Sequence, residues 1–145
     1  MKTLKYPARF VRYYDDGEYY VVTFPDLKGC VTQGETTEEA LFNATEALTG
    51  YLTSIFIRNL NIPEPSNITG DNIYFIEPDA SISISINLKK LRQERGISQT
   101  ELANMIGVKY QTYQRLENPL KSNPTIKTLS NIAKAFHRKL HVEIT

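Results

Sequence analysis

The sequence predicts an α+β protein made of two modules: a small antiparallel sheet with one helix, then a bundle of short helices. Residues 1–80 hold 12 Asp and Glu against 6 Lys and Arg, whereas residues 81–145 hold 4 against 11. Of the 15 Phe and Tyr residues, 12 lie before position 81. Short β-prone runs in the first part are followed by helical apolar spacing in the second. An acidic, aromatic module and a basic, helical module therefore predict two different partners.

The length and composition exclude several classes of protein. A chain of 145 residues that is 41% hydrophobic and 23% charged is typical of a globular protein. No apolar run is long enough to span a bilayer, and the N-terminus lacks the apolar core of a secretory signal, so we expect a cytoplasmic protein without a membrane partner. Cys30 is the single cysteine and no Cys/His spacing suggests zinc, so we expect neither an internal disulfide nor a metal or other cofactor.

The beginning of the chain predicts three antiparallel strands. Residues 6–14 and 18–24 are rich in β-branched and aromatic side chains. Between them, Asp15-Asp16-Gly17 is typical of a hairpin turn, because Asp and Gly both tolerate a positive φ. Pro25 ends the second strand because it has no backbone N–H to donate, and residues 30–34 form the expected third strand.

The segment after these strands predicts a long amphipathic helix. Thr36 and Glu39 have the spacing of a capping box, and apolar side chains then recur every three or four residues. The members of this stripe are Leu41, Ala44, Leu48, Leu52 and Ile55. A loop with Pro and Gly over 61–70 and a short β-prone run over 73–76 complete a β-β-β-α-β module.

The rest of the chain predicts the second module. Alternating Ser and Ile over 81–86 fit either a short strand or an ordered linker. From Leu88 onward, Gly and Pro separate helical runs that are each too short to be stable alone, so we expect a compact bundle of four or five helices. Residues 139–144 alternate again and predict a final strand. The predicted domains are therefore residues 1–80 and 81–145.

Two of these short helices have the local signals of a helix-turn-helix. Ser98 and Glu101 have capping-box spacing at the start of the first helix, and Gly107 suits the left-handed residue at its end. A second helix is expected over 109–117. Its exposed side chains are Lys109, Tyr110, Gln111, Gln114 and Arg115. These amide, aromatic and basic groups are of the kind that contacts base edges and phosphates in the major groove.

Residues 88–137, which include LKKLRQERGISQTELANMIGV and YQTYQRLEN, resemble the Cro/phage-repressor-type helix-turn-helix. The resemblance implies that Gln99 touches a phosphate and that the five exposed residues of the second helix contact operator DNA. It also implies that Arg92 and Glu117 form a structural pair. Domains of this type read two half-sites one helical turn apart, so we expect a homodimer or a higher homo-oligomer that pairs through the final strand.

The first module contains no recognisable set of catalytic residues. Both histidines, His137 and His141, lie near the C-terminus, and the module has no Ser/His or Cys/His pair. Its carboxylates lie mainly in a turn or in the first turn of a helix, where they favour the turn and complement the helix dipole. Asp26 has no second carboxylate at a convincing metal-site spacing. We therefore expect no enzymatic activity.

The same module resembles the HicB antitoxin family. The resemblance rests on residues 6–59, which include YYVVTFPDLKGCVTQGETTEEALFNATEAL. It implies a partial RNase H-like fold without the catalytic carboxylates of the nuclease. It also implies a partner of the HicA type, a small basic toxin that cleaves mRNA, and an acidic surface would attract such a protein. The candidate toxin contacts lie in the acidic turn and in the loop after the second strand, namely Asp15, Asp16, Glu18, Asp26, Leu27 and Lys28.

Together the two resemblances imply an antitoxin that neutralises a HicA-type toxin with its first module and represses its own operon by binding operator double-stranded DNA with its second. One alternative is a stand-alone transcriptional repressor whose first module senses a small ligand, because Tyr-rich sheets can line pockets. Another is a residual nuclease that uses Asp26 with magnesium. A gene for a short basic protein beside this one would favour the antitoxin, and RNA cleavage abolished by Asp26→Asn would favour the nuclease.

Overall fold

The computed structural model describes residues 4–145, in two compact units that divide between Ser83 and Ile84. The elements of the first unit are β1 (Tyr6–Tyr13), β2 (Tyr19–Thr23), β3 (Val31–Gly34), α1 (Thr37–Ile57) and β4 (Ile73–Ile76). The four strands form one antiparallel sheet in the order β3-β2-β1-β4. The β-β-β-α-β order expected from the sequence is therefore confirmed.

The core of the first unit lies between α1 and one face of the sheet. Alternate side chains of β1, Tyr6, Ala8 and Phe10, are buried on this face. Tyr6 lies opposite Ile76 of β4, and Phe10 lies opposite Val22 of β2, so the buried side chains continue across three strands. The residues that α1 buries are Ala40, Ala44, Leu48, Leu52 and Ile55.

Gly34, the last residue of β3, lies directly against the first turn of α1. A Cβ at Gly34 would lie 2.5 Å from the backbone nitrogen of Ala40 and 2.7 Å from its Cα. Any other residue would therefore displace the helix. The close approach also explains why Ala40 is fully buried, whereas Leu41, predicted to begin the buried stripe, is only half-buried.

We expect Gly34→Ala to lower the free energy of unfolding by about 3 kcal/mol, because backbone atoms rather than a flexible side chain must move. Gly50→Ala is the matched control, since a Cβ at Gly50 of α1 meets nothing within 4 Å. This control should raise the stability by about 0.5–1 kcal/mol, because Ala favours a helix over Gly. Urea denaturation followed by circular dichroism measures both variants. Similar effects of the two substitutions would contradict the close approach at Gly34.

The second unit is helical and contains most of α2 (Ala80–Glu94), together with α3 (Gln99–Ile106), α4 (Tyr110–Leu116) and α5 (Ile126–Ala135). The alternating segment 81–86 is helical, which neither sequence-based alternative had anticipated. A helix accounts for the pattern because Ile82 and Ile86, four residues apart, share one side of it and are both buried. The Ser85 hydroxyl supports this conformation by donating a hydrogen bond to the Leu116 carbonyl oxygen at 3.1 Å.

The predicted final strand over 139–144 is wrong. Residues 138–145 have no regular secondary structure and follow a turn at His137, whose φ is 55°. A strand needs a neighbouring strand to complete its backbone hydrogen bonds, and the second unit contains none among its described residues. Leu140 and Val142 line a groove beside α5 instead.

The core of the second unit joins side chains from all four of its helices. The buried members are Leu88, Leu102, Ala103, Tyr113, Leu116, Ile132 and Phe136. With eight and seven residues, α3 and α4 are too short to be stable alone, so this shared core fixes them. Within the described residues, 4–145, no helix of either unit is long and apolar enough to cross a membrane.

Candidate DNA-binding and partner-binding surfaces

Local hydrogen bonds build the turn between α3 and α4. The Ser98 hydroxyl accepts from the Glu101 N–H at 3.0 Å, and the Glu101 carboxylate accepts from the Ser98 N–H at 3.1 Å. At the other end of α3, Gly107 has a φ of 73°, a conformation that favours glycine. The Val108 N–H then donates to the Ala103 carbonyl oxygen at 3.0 Å. These bonds end α3 sharply, so that α4 follows after a short turn and packs against it.

The helix α4 buries one side and exposes the other. Tyr113 and Leu116 are buried in the core. Five of the six residues predicted to contact DNA are exposed here, namely Lys109, Tyr110, Gln111, Gln114 and Arg115. Gln111, Gln114 and Arg115 are three and four residues apart, so they share one surface. This surface presents two amides and a guanidinium, the groups that form paired hydrogen bonds with adenine and guanine in the major groove.

A buried ion pair holds the end of α4 in place. Arg92 of α2 donates from Nε to Glu117 Oε2 at 2.8 Å and from Nη2 to Oε1 at 3.0 Å. Its Nη1 donates to the Ile97 carbonyl oxygen at 3.1 Å, while the Glu117 side chain is 4% exposed. The hydrogen bond with Glu117 raises the pKa of Arg92 above its ordinary value, although burial acts in the opposite direction. The pair therefore joins α2, the loop before α3 and the residue after α4.

The hydroxyl of Tyr113 is buried in the neighbourhood of this ion pair and forms no hydrogen bond of ordinary geometry with a described residue. Burial raises the pKa of Tyr113 well above that of a free phenol, the Glu117 carboxylate raises it further, and Arg92 partly opposes the shift. Tyr113 therefore remains a neutral phenol, which is compatible with its place in the apolar core.

Gln99 links the first turn of α3 to the first turn of α4. Its Nε2 donates to Glu117 Oε1 at 3.2 Å, and its Oε1 accepts from the Tyr110 hydroxyl at 3.4 Å. The half-buried amide is thus engaged on both sides within the chain. The sequence pattern predicts Gln99 and Tyr110 as DNA contacts but not the bond between them. The sequence indicates that Gln99 and Tyr110 lie in the first turns of two consecutive helices. It does not show that packing of these helices brings the two side chains into contact.

The acidic turn that is a candidate toxin contact joins β1 to β2. Asp16 and Gly17 have φ values of 51° and 103°, as an Asp-Gly turn requires. Asp15, Asp16 and Glu18 are all exposed. Glu18 forms an ion pair with Arg12 of β1, so its charge is already matched within the chain.

The aromatic side chains on the two faces of the β1–β2 hairpin have different contacts. On one side, the Arg12 guanidinium lies 5.2 Å from the ring centroid of Tyr14 and 5.8 Å from that of Tyr20. On the other side, the rings of Tyr13 and Tyr19 stack on each other, with centroids 5.6 Å apart and planes at 17°. The sequence predicts an aromatic hairpin, whereas the side of each tyrosine depends on the strand register.

Next to the stacked tyrosines, Val11 lies opposite Val21. Side chains alternate between the faces of a strand, and Phe10 is buried on the face that packs against α1. Val11 and the tyrosines therefore point away from α1. We call the surface formed by Val11, Tyr13, Tyr19 and Val21 the aromatic hairpin face.

The second group of candidate toxin contacts lies at the other end of β2. Asp26 accepts from the N–H and the hydroxyl of Ser66 at 2.8 and 3.0 Å, so this carboxylate joins two loops. Leu27 is fully buried, whereas Lys28 is exposed and its carbonyl oxygen accepts from the Tyr51 hydroxyl at 3.0 Å. The strand between this loop and the acidic turn is roughly 17 Å long. The six candidate contacts therefore form two separate groups.

Within the described part of the chain, residues 4–145, no group of three or more His, Cys, Asp or Glu is arranged to hold a metal ion. Cys30 is buried, and its thiol donates to the Ala47 carbonyl oxygen at 3.7 Å. Burial raises the pKa of Cys30 to about 11. A thiol with this pKa is protonated at neutral pH and is a poor nucleophile.

The capped helix α3, the turn at Gly107 and the exposed surface of α4 define the second unit as a helix-turn-helix, and residues 88–142 match the family model described as Helix-turn-helix. Residues 6–95 match the model described as HicB_like antitoxin of bacterial toxin-antitoxin system. The second match covers more than half of the chain, so the chain belongs to the HicB family of antitoxins.

Individual relatives agree with this assignment. The chain is 31% identical to Antitoxin HicB 1 of Photorhabdus laumondii, over 99% of its own length and 89% of the relative. It is 33% identical to Antitoxin HicB of Escherichia coli K12, over 94% and 96%. A solved structure, Toxin-Antitoxin complex from Streptococcus pneumoniae, has 24% identity and a TM-score of 0.45, and the match covers 70% of this chain and 94% of that chain. The two named antitoxins confirm the family resemblance and the expectation that the chain is not an enzyme.

Proposed function

We propose that this chain binds and neutralises a HicA-type toxin through its first unit and represses its own operon by binding operator DNA through its second. The observation that carries the proposal is a HicB-family unit and a helix-turn-helix on one chain. We also assign the first unit to the partial RNase H-like fold that the family resemblance implies. Toxin and operator both belong to the cytoplasm, where we expect the protein to act.

In the proposed operator complex, α4 lies in the major groove. Gln111, Gln114 and Arg115 contact base edges, while Lys109 and Gln99 contact phosphates. The hydrogen bonds of Gln99 to Glu117 and Tyr110 hold α3 against both ends of α4 and fix the Gln99 amide before DNA arrives. Such preorganisation lowers the entropy lost on binding.

The charge of the first unit supports a basic protein partner. Residues 1–80 carry 12 acidic against 6 basic side chains. An excess of negative charge attracts a basic toxin over long distances and raises its association rate. The bound antitoxin then neutralises the toxin by covering its RNA-binding surface or its active site.

We further propose that two copies of the chain bind one operator. The groove between α5 and the C-terminal segment has a volume of about 470 Å³. Its apolar lining includes Ile126, Leu140 and Val142, and its basic lining consists of Lys134, Arg138 and Lys139. Ile126 and Val142 are 69% and 61% exposed, so a single chain leaves apolar side chains in water that a second copy would cover. To read two half-sites of one operator, the dimer has to place its two α4 helices about 34 Å apart, in successive turns of the major groove.

Purification of the tagged full chain from its native host at moderate salt tests the antitoxin function. We expect a small basic protein in stoichiometric amount, identified by mass spectrometry as HicA-type, whose toxicity is suppressed when this chain is co-expressed. Operator DNA without a protein partner would contradict the antitoxin and favour a ligand-sensing repressor. RNA cleavage by the purified chain, abolished by Asp26→Asn, would favour a residual nuclease.

Light scattering on the chain expressed and purified without the toxin tests the dimer. We expect a mass of twice 16.6 kDa. Removal of residues 139–145 should produce monomers and weaken operator binding, because Leu140 and Val142 form one side of the groove. An unchanged mass after this removal would exclude the groove as the dimer contact.

A further inference from the structure

We propose that the toxin docks on the aromatic hairpin face, with Asp15 and Asp16 of the adjoining turn as its charged rim. This inference rests on the proposed antitoxin function and adds to it the surface that is used. The occupant is a small basic protein that covers the tyrosines and pairs its cations with the two carboxylates.

The strand register brings four side chains together on this face. Val11 lies opposite Val21 and Tyr13 opposite Tyr19, and the two rings stack. Val11 and Tyr13 are 36% and 42% exposed, whereas Phe10 on the other side of β1 is 5% exposed. The face is therefore an ordered apolar surface that remains open to a partner. Tyrosines supply a large contact area at a low cost in side-chain entropy, which makes them frequent hot spots of interfaces.

The opposite side of the hairpin is already engaged by the chain's own residues. Arg12 pairs with Glu18 and lies over the rings of Tyr14 and Tyr20. A basic partner that approached this side would meet a cation and would compete with it for Glu18. On the Tyr13 side the basic residue of β1 is Arg9, which lies beyond Val11 and four residues from Tyr13, away from the acidic turn. The geometry therefore favours the turn end of the Tyr13 side, even though Tyr14 is more exposed, at 68%.

The loop after β2 offers a basic protein little to bind. The Asp26 carboxylate accepts two hydrogen bonds from Ser66, and Leu27 is fully buried. Lys28 is the exposed side chain of the three, and its positive charge would repel a basic partner. Of the two candidate groups, only the acidic turn therefore suits such a protein.

The rim of the aromatic hairpin face selects the class of partner. Asp15 and Asp16 are exposed, and neither forms an ion pair with another described residue. Both carboxylates can therefore pair with Lys or Arg of a partner, whose cations can also lie over the tyrosine rings. A nucleic acid is disfavoured by the excess of acidic residues in this half of the chain. A second copy is disfavoured because it would bring the two acidic turns together.

Calorimetry between the full chain and the basic toxin that co-purifies with it tests the docking face. We expect Tyr13→Ala to weaken toxin binding at least tenfold, and Tyr13→Phe to keep the wild-type affinity because the ring stack remains. Tyr14→Ala is the matched control, since it removes a more exposed tyrosine from the other side of the same hairpin. This control should stay within twofold of the wild type.

The charged rim is tested by a variant that combines Asp15→Asn with Asp16→Asn. Asn tolerates the positive φ of Asp16, so the turn is preserved. We expect the association rate constant to fall at least tenfold at low salt and the difference to vanish at high salt, because screening removes long-range attraction. Stopped-flow binding measures both conditions. Equal rate constants for the variant and the wild type at low salt would show that Asp15 and Asp16 do not attract the toxin.

Hydrogen exchange of the first unit distinguishes a loss of docking from a loss of fold, since a folded Tyr13→Ala should keep the wild-type protection of the amides of β1, β2 and α1. If Tyr13→Ala fails to fold, the Asp15→Asn, Asp16→Asn variant tests the docking face instead, because it changes only exposed charges beside that face. Toxin binding by a folded Tyr13→Ala at wild-type affinity, or an equal loss in Tyr14→Ala, would overturn the docking face but leave the antitoxin function standing. A wild-type chain that binds no toxin would overturn both. Binding of single-stranded RNA, or dimer formation, that Tyr13→Ala abolishes would overturn the choice of a basic protein.

Discussion

Glu117→Gln is expected to lower the free energy of unfolding of the second unit by about 3–5 kcal/mol. The Glu117 carboxylate accepts two hydrogen bonds from Arg92 and one from Gln99, and it is almost completely buried. Glutamine preserves the size of the side chain but removes its charge. The Arg92 guanidinium, only 14% exposed, would then lack its counter-ion. Because the same network holds the start of α4, operator affinity should fall together with the stability.

Hydrogen exchange followed by mass spectrometry measures this effect in the full chain. We expect the amides of α3 and α4 to lose protection while those of α1, in the other unit, serve as an internal reference. Glu94→Gln, at an exposed position of α2, is the matched control and should change the stability by less than about 0.5 kcal/mol. A double variant, Arg92→Met with Glu117→Leu, should be more stable than either single variant, because neither charge is left unpaired. Unchanged protection of α3 and α4 in Glu117→Gln would show that the ion pair does not hold them.

Gln114→Ala is expected to reduce operator binding by about 1–3 kcal/mol, the discrimination that a paired hydrogen bond to a base provides. Gln114 is exposed on α4 and shares its surface with Gln111 and Arg115. Its removal leaves the core of the second unit untouched, because the buried residues of α4 are Tyr113 and Leu116. The loss should therefore appear in specific binding, with no change in stability.

Fluorescence anisotropy at one fixed salt concentration, with the duplex from upstream of the chain's own gene and a scrambled duplex, measures specific and non-specific binding. Gln93→Ala is the matched control, since Gln93 is an exposed glutamine of α2 outside the proposed DNA surface. A salt titration with the same two duplexes tests Lys109→Ala, which should weaken binding to both and lower the slope of the salt dependence by about 1, as expected for a phosphate contact. Equal losses for Gln114→Ala on both duplexes would contradict a base contact at this position.

The helix-turn-helix was predictable from the sequence because its signals are local. Ser98 and Glu101 cap α3 through bonds that span three residues, and Gly107 ends it through its own φ. The hairpin turn at Asp16 and Gly17 follows from the same kind of signal. Each of these features depends on neighbours within about one helical turn, so the order of residue types is sufficient to predict it.

Two segments were not predictable because short alternating patterns are ambiguous. Isoleucine at every second position of 81–86 fits a strand, but it also places Ile82 and Ile86 one helical turn apart. Packing against a core decides between these arrangements. Residues 139–144 alternate as a strand would, but the described residues of their unit contain no neighbouring strand. Without such a neighbour the backbone hydrogen bonds of a sheet cannot form.

Amino-acid order was sufficient to predict an acidic sheet unit before a basic helix-turn-helix, and the side chains exposed on the second helix of that motif. Three features depended on the folded chain: Leu27 is buried, Gln99 bonds to Tyr110, and the stacked tyrosines lie on the face of the hairpin opposite Arg12. The difference has one physical cause. Capping, turn chemistry and charge act over a few residues, whereas burial and exposure depend on strand register and on helices that pack together from distant parts of the chain.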